Sequence, residues 1–544
     1  MFRVAIEEVR KKLKHESHRP VVIRGAKGTG KTWLMEYIAE KYYDDYIYVS
    51  FDYSMQNSMQ NLMDADMFAE SASDSNVVLA HAKDQFIGKM LENIFETASD
   101  PQVVIDALLN RYAIKPKNSL IIFDEIQDCP EALVALGYLG ANNPNIDIIA
   151  ASSFAEAPPS RRARLEDAMK KWDEMITEPA SLVAVMDLYP LTFDEFIHAL
   201  GDDELYELFQ QKKTEILNAH KDQFEDYYYK YLTIGGMPEC VLAYVESQIV
   251  DTANQTVNNE SRTTYAESQA ANSAPDIVIS SQPPLASDTK QNLSPHRNDV
   301  NSSNKLEHIR DKNVIDTILS IQKRILTQYE IEAKLRSEKK YTKKIDAILS
   351  SLPEQTGQKF MVGRIDSKAR IREYQPAIDW LSGAYFTYKI NRVTEAKSPL
   401  KSYEDPKAYK LFLPDVGLLS CLLLEDGAHP TLDFIKTLYK MDSWQETYLK
   451  LAQQFVVQQV ISKSKLRPAY WLSKTGKATI DVLVDIGTEV VPIDINPTGN
   501  TKSKKLDVYI QKNNPRLAMK AYNQDAKLEA GLVELPIFGV GILS

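Results

Sequence analysis

Residues 21–32 read Val21-Val22-Ile23-Arg24-Gly25-Ala26-Lys27-Gly28-Thr29-Gly30-Lys31-Thr32, and they decide the fold of the N-terminal region. They place the pattern GxxxxGK[ST] between an apolar strand and a stretch with helical spacing, which is the context that this motif needs. Its glycines let backbone N–H groups converge on phosphate, and the helix that follows adds the positive end of its dipole. The stretch therefore predicts a nucleotide-binding α/β domain.

The groups of this loop have distinct predicted tasks. Lys31 is expected to reach the β- and γ-phosphates and to take part in catalysis, and Thr32 is expected to offer its hydroxyl to Mg²⁺. The rest of the ATP-binding set is predicted to be Gly25, Lys27, Gly28, Thr29 and Gly30.

A second motif follows further along the chain, where the apolar stretch 120–123 ends in Asp124 and Glu125. In phosphoryl transfer, Asp124 would complete the Mg²⁺ site and bind the cofactor, while Glu125 would polarise the attacking water. Standing alone, such a pair would be an acidic turn after a core strand. Together with the phosphate loop it predicts ATP hydrolysis, with ATP and Mg²⁺ as the cofactors.

The next predicted strand, 146–150, runs into Ser152 and Ser153. We predict a catalytic role for Ser153 in orienting the lytic water or the γ-phosphate, with a helix N-cap as the alternative. Arginines at 161, 162 and 164 could include a charge-stabilising finger, but the pattern favours a solvated helix face.

Composition and charge exclude several classes of protein. A net charge of −11 excludes a chain that coats nucleic acid with its whole surface. The three cysteines, Cys129, Cys240 and Cys421, are far apart and indicate neither a disulfide framework nor a zinc site, which favours a cytoplasmic location. No secretory signal or bilayer-spanning apolar stretch is evident, so no membrane partner is expected.

The order of elements predicts a doubly wound parallel sheet in the N-terminal third, because short apolar strands alternate with helices. Residues 250–305 are rich in Ser, Asn, Thr and Gln, which predicts a disordered linker or insertion. Beyond it, 306–350 is helical and basic, a long helix is predicted near 443–460, and 469–510 has a β-type pattern followed by a lysine-rich helix.

Several stretches together resemble the prokaryotic AAA-like P-loop ATPases that carry a C-terminal PD-(D/E)xK, restriction-endonuclease-like domain of uncharacterised role. They are VVIRGAKGTGKTWLMEYIAEKY, LIIFDEIQDCPEALVALGYL, LYPLTFDEFIHALG, YLTIGGMPECVLAYV and YKLFLPDVGLLSCLL. The resemblance implies an ATPase domain at 1–200, a helical lid at 201–249, a helical winged-helix-like region at 306–425 and a nuclease-like α/β domain at 426–544. It leaves out 250–305 and an extra helical stretch at about 155–178.

The resemblance also implies a metal site at the C-terminal end. A nuclease of that type needs an acidic residue on one strand, an acid-x-Lys on the next and often a Glu from the preceding helix. Those positions correspond to Asp481, Asp494 and Glu446. Asn496 stands where the lysine belongs, which predicts a degenerate site unless the lysine at 502 or 504 replaces it.

We therefore expect an ATP-hydrolysing switch protein whose C-terminal half binds a partner. The basic stretches 321–345 and 502–520 make double-stranded DNA a candidate, and a protein partner or an oligomer is also open. Two other functions remain as alternatives: an ATP-gated, metal-dependent nuclease, and a nucleotide-dependent interaction protein that does not hydrolyse ATP.

Overall fold

The computed structural model describes residues 3–14, 19–52, 81–83, 87–112, 118–155, 161–171, 183–249, 298–424, 432–497 and 502–542. Most of the predicted linker and part of the extra stretch at 155–178 lie outside these residues. The end of the predicted linker, 298–305, belongs to a long helix, Asn298–Arg336. Helical structure therefore resumes before the predicted boundary.

The N-terminal region is built on six parallel strands in the order β3-β2-β4-β5-β1-β6. Strand β5 lies between β1 and β4, and the three strands run parallel, so their carboxyl ends are at the same edge of the sheet. Open α/β sheets bind ligands at this edge. The strands are β1 (Val21–Arg24), β2 (Asp45–Ser50), β3 (His81–Lys83), β4 (Ser119–Asp124), β5 (Ile146–Ser152) and β6 (Ala184–Asp187).

Helices cover both faces of this sheet, which confirms the predicted doubly wound arrangement. One apolar core, with Val9, Leu34 and Ile38, fills one face, and another, with Phe95 and Leu108, fills the opposite face. The helices are Val4–Leu13, Lys31–Tyr42, Ile87–Thr97, Gln102–Tyr112, Pro130–Asn142 and Arg162–Lys171, with a short 3-10 turn at Ile126–Asp128.

A group of helices follows that begins at Phe193, inside the region predicted as the ATPase domain, and continues through the predicted lid at 201–249. The first begins with a capping box between Thr192 and Glu195. Phe193 makes edge contacts with Tyr231 and Phe455 at ring-centroid distances of 5.9 and 5.8 Å, so this group shares a core with the C-terminal half. Its helices are Phe193–Ala199, Asp203–Gln210, Thr214–Ala219, Lys221–Ile234 and 238–249.

The C-terminal half contains a mixed sheet of eight strands in the order β13-β14-β12-β11-β10-β9-β7-β8. Strand β7 pairs parallel with β9. The strands are β7 (Tyr388–Val393), β8 (Glu404–Phe412), β9 (Ala469–Leu472), β10 (Thr479–Ile486), β11 (Glu489–Asn496), β12 (Ala518–Tyr522), β13 (Lys527–Glu529) and β14 (Leu532–Pro536). The regions predicted as separate, 306–425 and 426–544, therefore share one sheet, and the β7–β8 hairpin is not a free wing.

The helices of this half surround the mixed sheet. They are Asn298–Arg336, Lys339–Gln355, Ile371–Gly383, Val416–Leu423, Leu432–Lys440, Gln445–Ser462 and Lys504–Asn513, with 3-10 turns at Val362–Arg364, Leu400–Tyr403, Asp442–Trp444 and Ile537–Ile542. Within the ranges given above, no helix combines the length and the apolar character that crossing a membrane requires.

Candidate functional site

The phosphate loop borders a cavity of about 530 Å³ at the carboxyl ends of β1 and β4. Gly28 and Gly30 have φ angles of +89° and +87°, a backbone conformation that L side chains rarely adopt. A Cβ at Gly25 would lie 2.1 Å from the carbonyl oxygen of Leu188, so only glycine fits there. The Lys31 Nζ donates to the carbonyl oxygen of Gly25 at 2.9 Å and is thereby held at the loop.

Thr32 and Asp124 meet at the floor of the cavity. The Thr32 Oγ1 donates to Asp124 Oδ2 at 2.7 Å, and the Tyr48 hydroxyl donates to the same oxygen at 2.7 Å. Burial raises the pKa of Asp124, and the nearby charge of Glu125 raises it further. A hydroxyl and a carboxylate oxygen in contact are hard ligands of the kind that Mg²⁺ prefers, so this pair fits a nucleotide-bound Mg²⁺.

Both carboxylate oxygens of Glu125 accept hydrogen bonds from neighbouring side chains. The Ser153 Oγ donates to Oε1 at 2.9 Å, and the Gln127 amide donates to Oε2. Burial opposes ionisation, but the positive charges of Lys31 and Arg336 outweigh it and lower the pKa of Glu125. The residue is therefore an ionised carboxylate with a defined orientation, as a general base requires. The structure thus places the hydroxyl of Ser153 against the Glu125 carboxylate.

Most of the predicted nucleotide-binding residues line the cavity directly: Lys27, Gly28, Gly30, Lys31, Thr32, Asp124 and Glu125. Gly25, Thr29 and Ser153 lie behind this lining. Thr29 is buried and its Oγ1 donates to the carbonyl oxygen of Ala26 at 2.9 Å. The wall also contains residues that the sequence analysis did not assign to the site: Trp33, Tyr48, Ser50, Asp52, Pro238, Glu239, Arg324 and Gln328.

The long helix Asn298–Arg336 forms the opposite wall and contacts the phosphate loop. The Tyr329 hydroxyl donates to the carbonyl oxygen of Lys27 at 3.3 Å. The Lys27 ammonium forms an ion pair with Glu332 of the same helix and lies 3.7 Å from a carboxylate oxygen of Asp52. A positive side chain of the phosphate loop is thus held by a carboxylate of the long helix.

Arg336, near the end of that helix, forms a second connection. Its Nε and Nη2 donate to the two carboxylate oxygens of Asp128 at 3.2 and 2.5 Å, and its Nη1 pairs with Glu332. Burial disfavours the charged guanidinium, but Asp128 and Glu125 outweigh this effect and raise the pKa of Arg336. The guanidinium therefore stays charged in a buried position beside the predicted catalytic base.

One arginine of the predicted cluster at 161–164, Arg164, forms a network of ion pairs. Arg164 pairs with Glu92 at 2.8 Å and with Glu131 at 2.7 Å, and it also lies 2.6 Å from Glu96. These contacts join three helices of the N-terminal region away from the cavity lining. Arg164 is therefore a structural residue. Other arginines lie at the candidate site: Arg324 lines the cavity, Arg336 acts electrostatically on Glu125, and Arg3 donates to the carbonyl oxygen of Thr29 at 3.3 Å.

Comparisons with known proteins agree with this geometry at the level of the N-terminal domain. Residues 17–80 and 79–197 match a family model described as AAA domain. The match supports a P-loop ATPase. Residues 307–428, which include most of the long helix, match a domain of unknown function, DUF8612. A search of curated proteins finds no match.

Among solved structures, the crystal structure of the Pyrococcus furiosus Hef helicase domain is similar at 12% identity, over 74% of this chain and 82% of that chain. The TM-score is 0.18, which is too low to support a shared fold or function. The assignment of the P-loop ATPase domain therefore rests on the family model together with the strand order and the loop geometry.

Three residues from motifs that are distant in sequence, Leu191, Gly236 and Asp415, meet beside the P-loop ATPase domain. Gly236 donates its N–H to Asp415 Oδ2 at 2.6 Å, and its carbonyl oxygen accepts the N–H of Leu191 at 2.7 Å. Gly235 has a φ of +78°, and a Cβ there would lie 2.0 Å from Asp415 Oδ1. Because Pro238 and Glu239 line the nucleotide cavity, this junction connects the cavity to the C-terminal half.

The predicted C-terminal site contains two buried aspartates joined by a lysine. The Lys505 Nζ lies 2.9 Å from Asp481 Oδ2 and 2.7 Å from Asp494 Oδ1. The Lys410 ammonium, also buried, lies 3.4 Å from Asp481 Oδ1, and the Gln453 amide donates to that oxygen at 2.8 Å. Burial opposes ionisation of Asp481, but Lys410 and Lys505 outweigh it and lower its pKa.

Glu446 does not complete this site. Its side chain is 76% exposed and lies 3.6 Å from Lys450, because it belongs to the first turn of its helix while Gln453 faces the aspartates. Over the described ranges, no group of three or more His, Cys, Asp or Glu side chains is arranged to hold a metal ion. The metal set of Glu446, Asp481 and Asp494 is therefore not assembled, and Lys505, rather than the lysine at 502 or 504, supplies the positive charge.

Proposed function

We propose that the protein binds Mg·ATP between the phosphate loop and the long helix and hydrolyses it. The observation that carries this proposal is the contact between Thr32 and Asp124 beside a Glu125 that is ionised and held in a fixed orientation. The AAA-domain match supports the same function.

The residues of the chain divide the work of hydrolysis. The backbone of the phosphate loop and the Lys31 ammonium bind the phosphates, while Thr32 and Asp124 would hold Mg²⁺, which would neutralise phosphate charge. Glu125 orients the attacking water and accepts its proton, since its carboxylate is ionised and lines the cavity. Ser153 keeps that carboxylate aimed at the cavity through its 2.9 Å hydrogen bond.

We further propose that ATP acts as a switch through Lys27. In the structure this ammonium pairs with Glu332 of the long helix. Bound phosphates carry more negative charge than one carboxylate and lie in the same cavity, so they compete with Glu332 for Lys27. ATP binding would thereby weaken one of the contacts that hold the long helix against the P-loop domain.

For the C-terminal half we propose partner binding without cleavage of nucleic acid. The Lys505 ammonium occupies the space between Asp481 and Asp494, where a nuclease of the implied type would need a metal ion. Asn496 offers no charge to stabilise the reaction, and Glu446 is exposed and lies next to Lys450. These features favour a degenerate nuclease-like domain over the ATP-gated nuclease.

Nucleotide binding is tested by titrating a fluorescent ATP analogue with Mg²⁺ into wild type and Lys31→Ala. We expect the variant to bind at least about tenfold more weakly, since it loses a charge-assisted contact of roughly 1.5–3 kcal/mol. Lys41→Ala, at the exposed far end of the same helix, is the matched control and should bind like wild type. Equal affinity of wild type and Lys31→Ala would refute the site.

Cleavage is tested by incubating supercoiled plasmid with the protein and Mg²⁺ or Mn²⁺, with and without ATP. We expect no nicking above that of a mock preparation. Nicking by wild type that disappears in Asp481→Asn would instead establish the nuclease function and contradict this part of the proposal.

A further inference from the structure

A surface of exposed basic side chains begins just beyond the end of the long helix. It spans the start of helix Lys339–Gln355, the segment before helix Ile371–Gly383 and the start of that helix. We name it the basic face and define it by Lys339, Lys343, Arg364, Lys368, Arg370 and Arg372, all of which are exposed.

These residues come from two segments that the structure brings together. The Lys344 Nζ donates to the carbonyl oxygen of Glu373 at 2.9 Å and lies 5.5 Å from the centre of the Tyr374 ring. Lys343 and Arg372 are the immediate neighbours of two of these contacting residues. The second turn of helix Lys339–Gln355 therefore contacts the first turn of helix Ile371–Gly383, and the N-terminal parts of the two helices lie side by side.

Carboxylates of the described part of the chain do not neutralise the charges of the basic face through ion pairs. Among the described residues, none of its six side chains forms an ion pair. Three exposed carboxylates lie close by: Glu338 pairs with Lys340 at 2.7 Å, Asp366 accepts the backbone N–H of Lys368, and Glu373 follows Arg372. Positive charge dominates here although the whole chain carries −11.

The two basic stretches expected from the sequence behave differently. In 321–345, Arg324 pairs with Glu239 and Arg336 is buried against Asp128. In 502–520, Lys505 is held between two aspartates, Arg516 pairs with Glu489, and Lys520 pairs with Glu534. Much of the positive charge of these stretches thus serves the fold, whereas the six side chains of the basic face are exposed.

We propose that the basic face docks on the phosphate backbone of double-stranded DNA. Two helix N-termini, each with a positive dipole end, open onto the same surface as the six cationic side chains, and both features favour phosphate. The exposed large apolar residues there are Met361 and Ile371, not aromatic rings. Single strands are held mainly by stacking on aromatic side chains, so the composition of this face suits a duplex.

The position of the basic face also determines how DNA would influence the ATP site. Lys339 begins the next helix, just after the long helix ends at Arg336. Arg336 is buried, and its positive charge lowers the pKa of Glu125. A duplex that holds the end of the long helix would alter the contacts of Arg336 with Asp128. This regulatory link rests on the proposed ATPase function, whereas the docking itself does not.

The test is fluorescence anisotropy of a labelled random-sequence DNA duplex titrated with the full chain in the absence of nucleotide. Arg370→Glu/Arg372→Glu should weaken binding at least about tenfold and reduce the slope of log affinity against log salt by about 2, since each lost phosphate contact removes about 0.9. The matched control, Lys474→Glu/Lys477→Glu, makes the same charge change at exposed positions between β9 and β10 and should stay within about twofold of wild type.

Equal loss in both double variants would overturn the proposal, because binding would then depend on net charge alone. Tighter binding to a single strand, or to vesicles of anionic phospholipid, than to the duplex would also overturn it. Circular dichroism of each variant excludes misfolding as the cause of a loss. A protein that binds the duplex in this manner but does not hydrolyse ATP would contradict the proposed ATPase while leaving the docking surface intact.

Discussion

Replacing Arg336 with alanine tests whether the long helix is held on the P-loop domain by buried charge. In wild type, Arg336 and Asp128 expose only 9% and 8% of their side chains and share two hydrogen bonds. Removing one partner of such a pair leaves a buried, uncompensated charge, which costs about 3–5 kcal/mol. Arg324→Ala is the matched control, because Arg324 pairs with Glu239 at 49% and 51% exposure, and exposed pairs contribute about 0–1 kcal/mol.

The assay is hydrogen–deuterium exchange of peptides covering 320–336, which reports the free energy of local opening. A cost of about 3–5 kcal/mol corresponds to a loss of protection of roughly two to four orders of magnitude in Arg336→Ala, and Arg324→Ala should lose less than about tenfold. Similar protection in both variants and in wild type would show that the buried pair does not hold the helix, and would refute the reasoning.

Three further predictions concern the C-terminal half and its junction with the lid. Lys505→Met should lower the free energy of unfolding in urea by about 3–5 kcal/mol, because buried Asp494 loses its counter-charge and Asp481 keeps only that of Lys410. Lys504→Met, at an exposed position, should have little effect. Gly235→Ala should reduce the thermal midpoint more than Gly201→Ala, although both glycines have positive φ. A Cβ at Gly235 would lie 2.0 Å from a carboxylate oxygen, whereas a Cβ at Gly201 would meet nothing within 4 Å. Burial raises the pKa of Asp415 to about 6. The protonated side chain therefore stabilises the fold fully below about pH 4, and this stabilisation is lost as the pH rises through about 6. In urea titrations from pH 4 to 7, Asp415→Asn should remove about 3 kcal/mol of this pH dependence.

The N-terminal sheet could be predicted from the sequence because local signals determine it. Apolar strands such as β4 are buried on both faces and therefore read as continuous hydrophobic runs. The phosphate loop has a fixed spacing, and its glycines are required by positive φ at Gly28 and Gly30. Asp124 and Glu125 were identifiable because they end a core strand at the edge where ligands bind.

Other parts of the site depend on contacts between distant residues, which the sequence does not reveal. Tyr48 reaches Asp124 only because β2 and β4 are neighbours in the sheet. Arg336 and Glu332 stand in a stretch of helix that resembles a solvated, charged face, yet both are buried against the P-loop domain. The pattern of charges alone could not distinguish these residues from exposed ones such as Lys334.

The C-terminal half shows the same limit. The positions of Asp481 and Asp494 on adjacent strands followed from the resemblance, and the structure does bring them to a common cation. The helix residue that contacts Asp481 is Gln453 and not Glu446. The two residues share a helix face but lie about 10 Å apart along the helix axis, and the packing of the helix on the sheet brings only the later one to the aspartate. That β7 joins β9 was also beyond prediction, since pairing between distant strands leaves no local signature.

The measurement that tests the central claim most directly is steady-state phosphate release from ATP by wild type and Glu125→Gln, with ATP binding measured on the same preparations. Our account predicts turnover by wild type, a loss of at least about a hundredfold in Glu125→Gln, and ATP affinity that is unchanged by the substitution. Turnover by Glu125→Gln at the wild-type rate, or wild-type protein that binds ATP without hydrolysing it, would contradict the account.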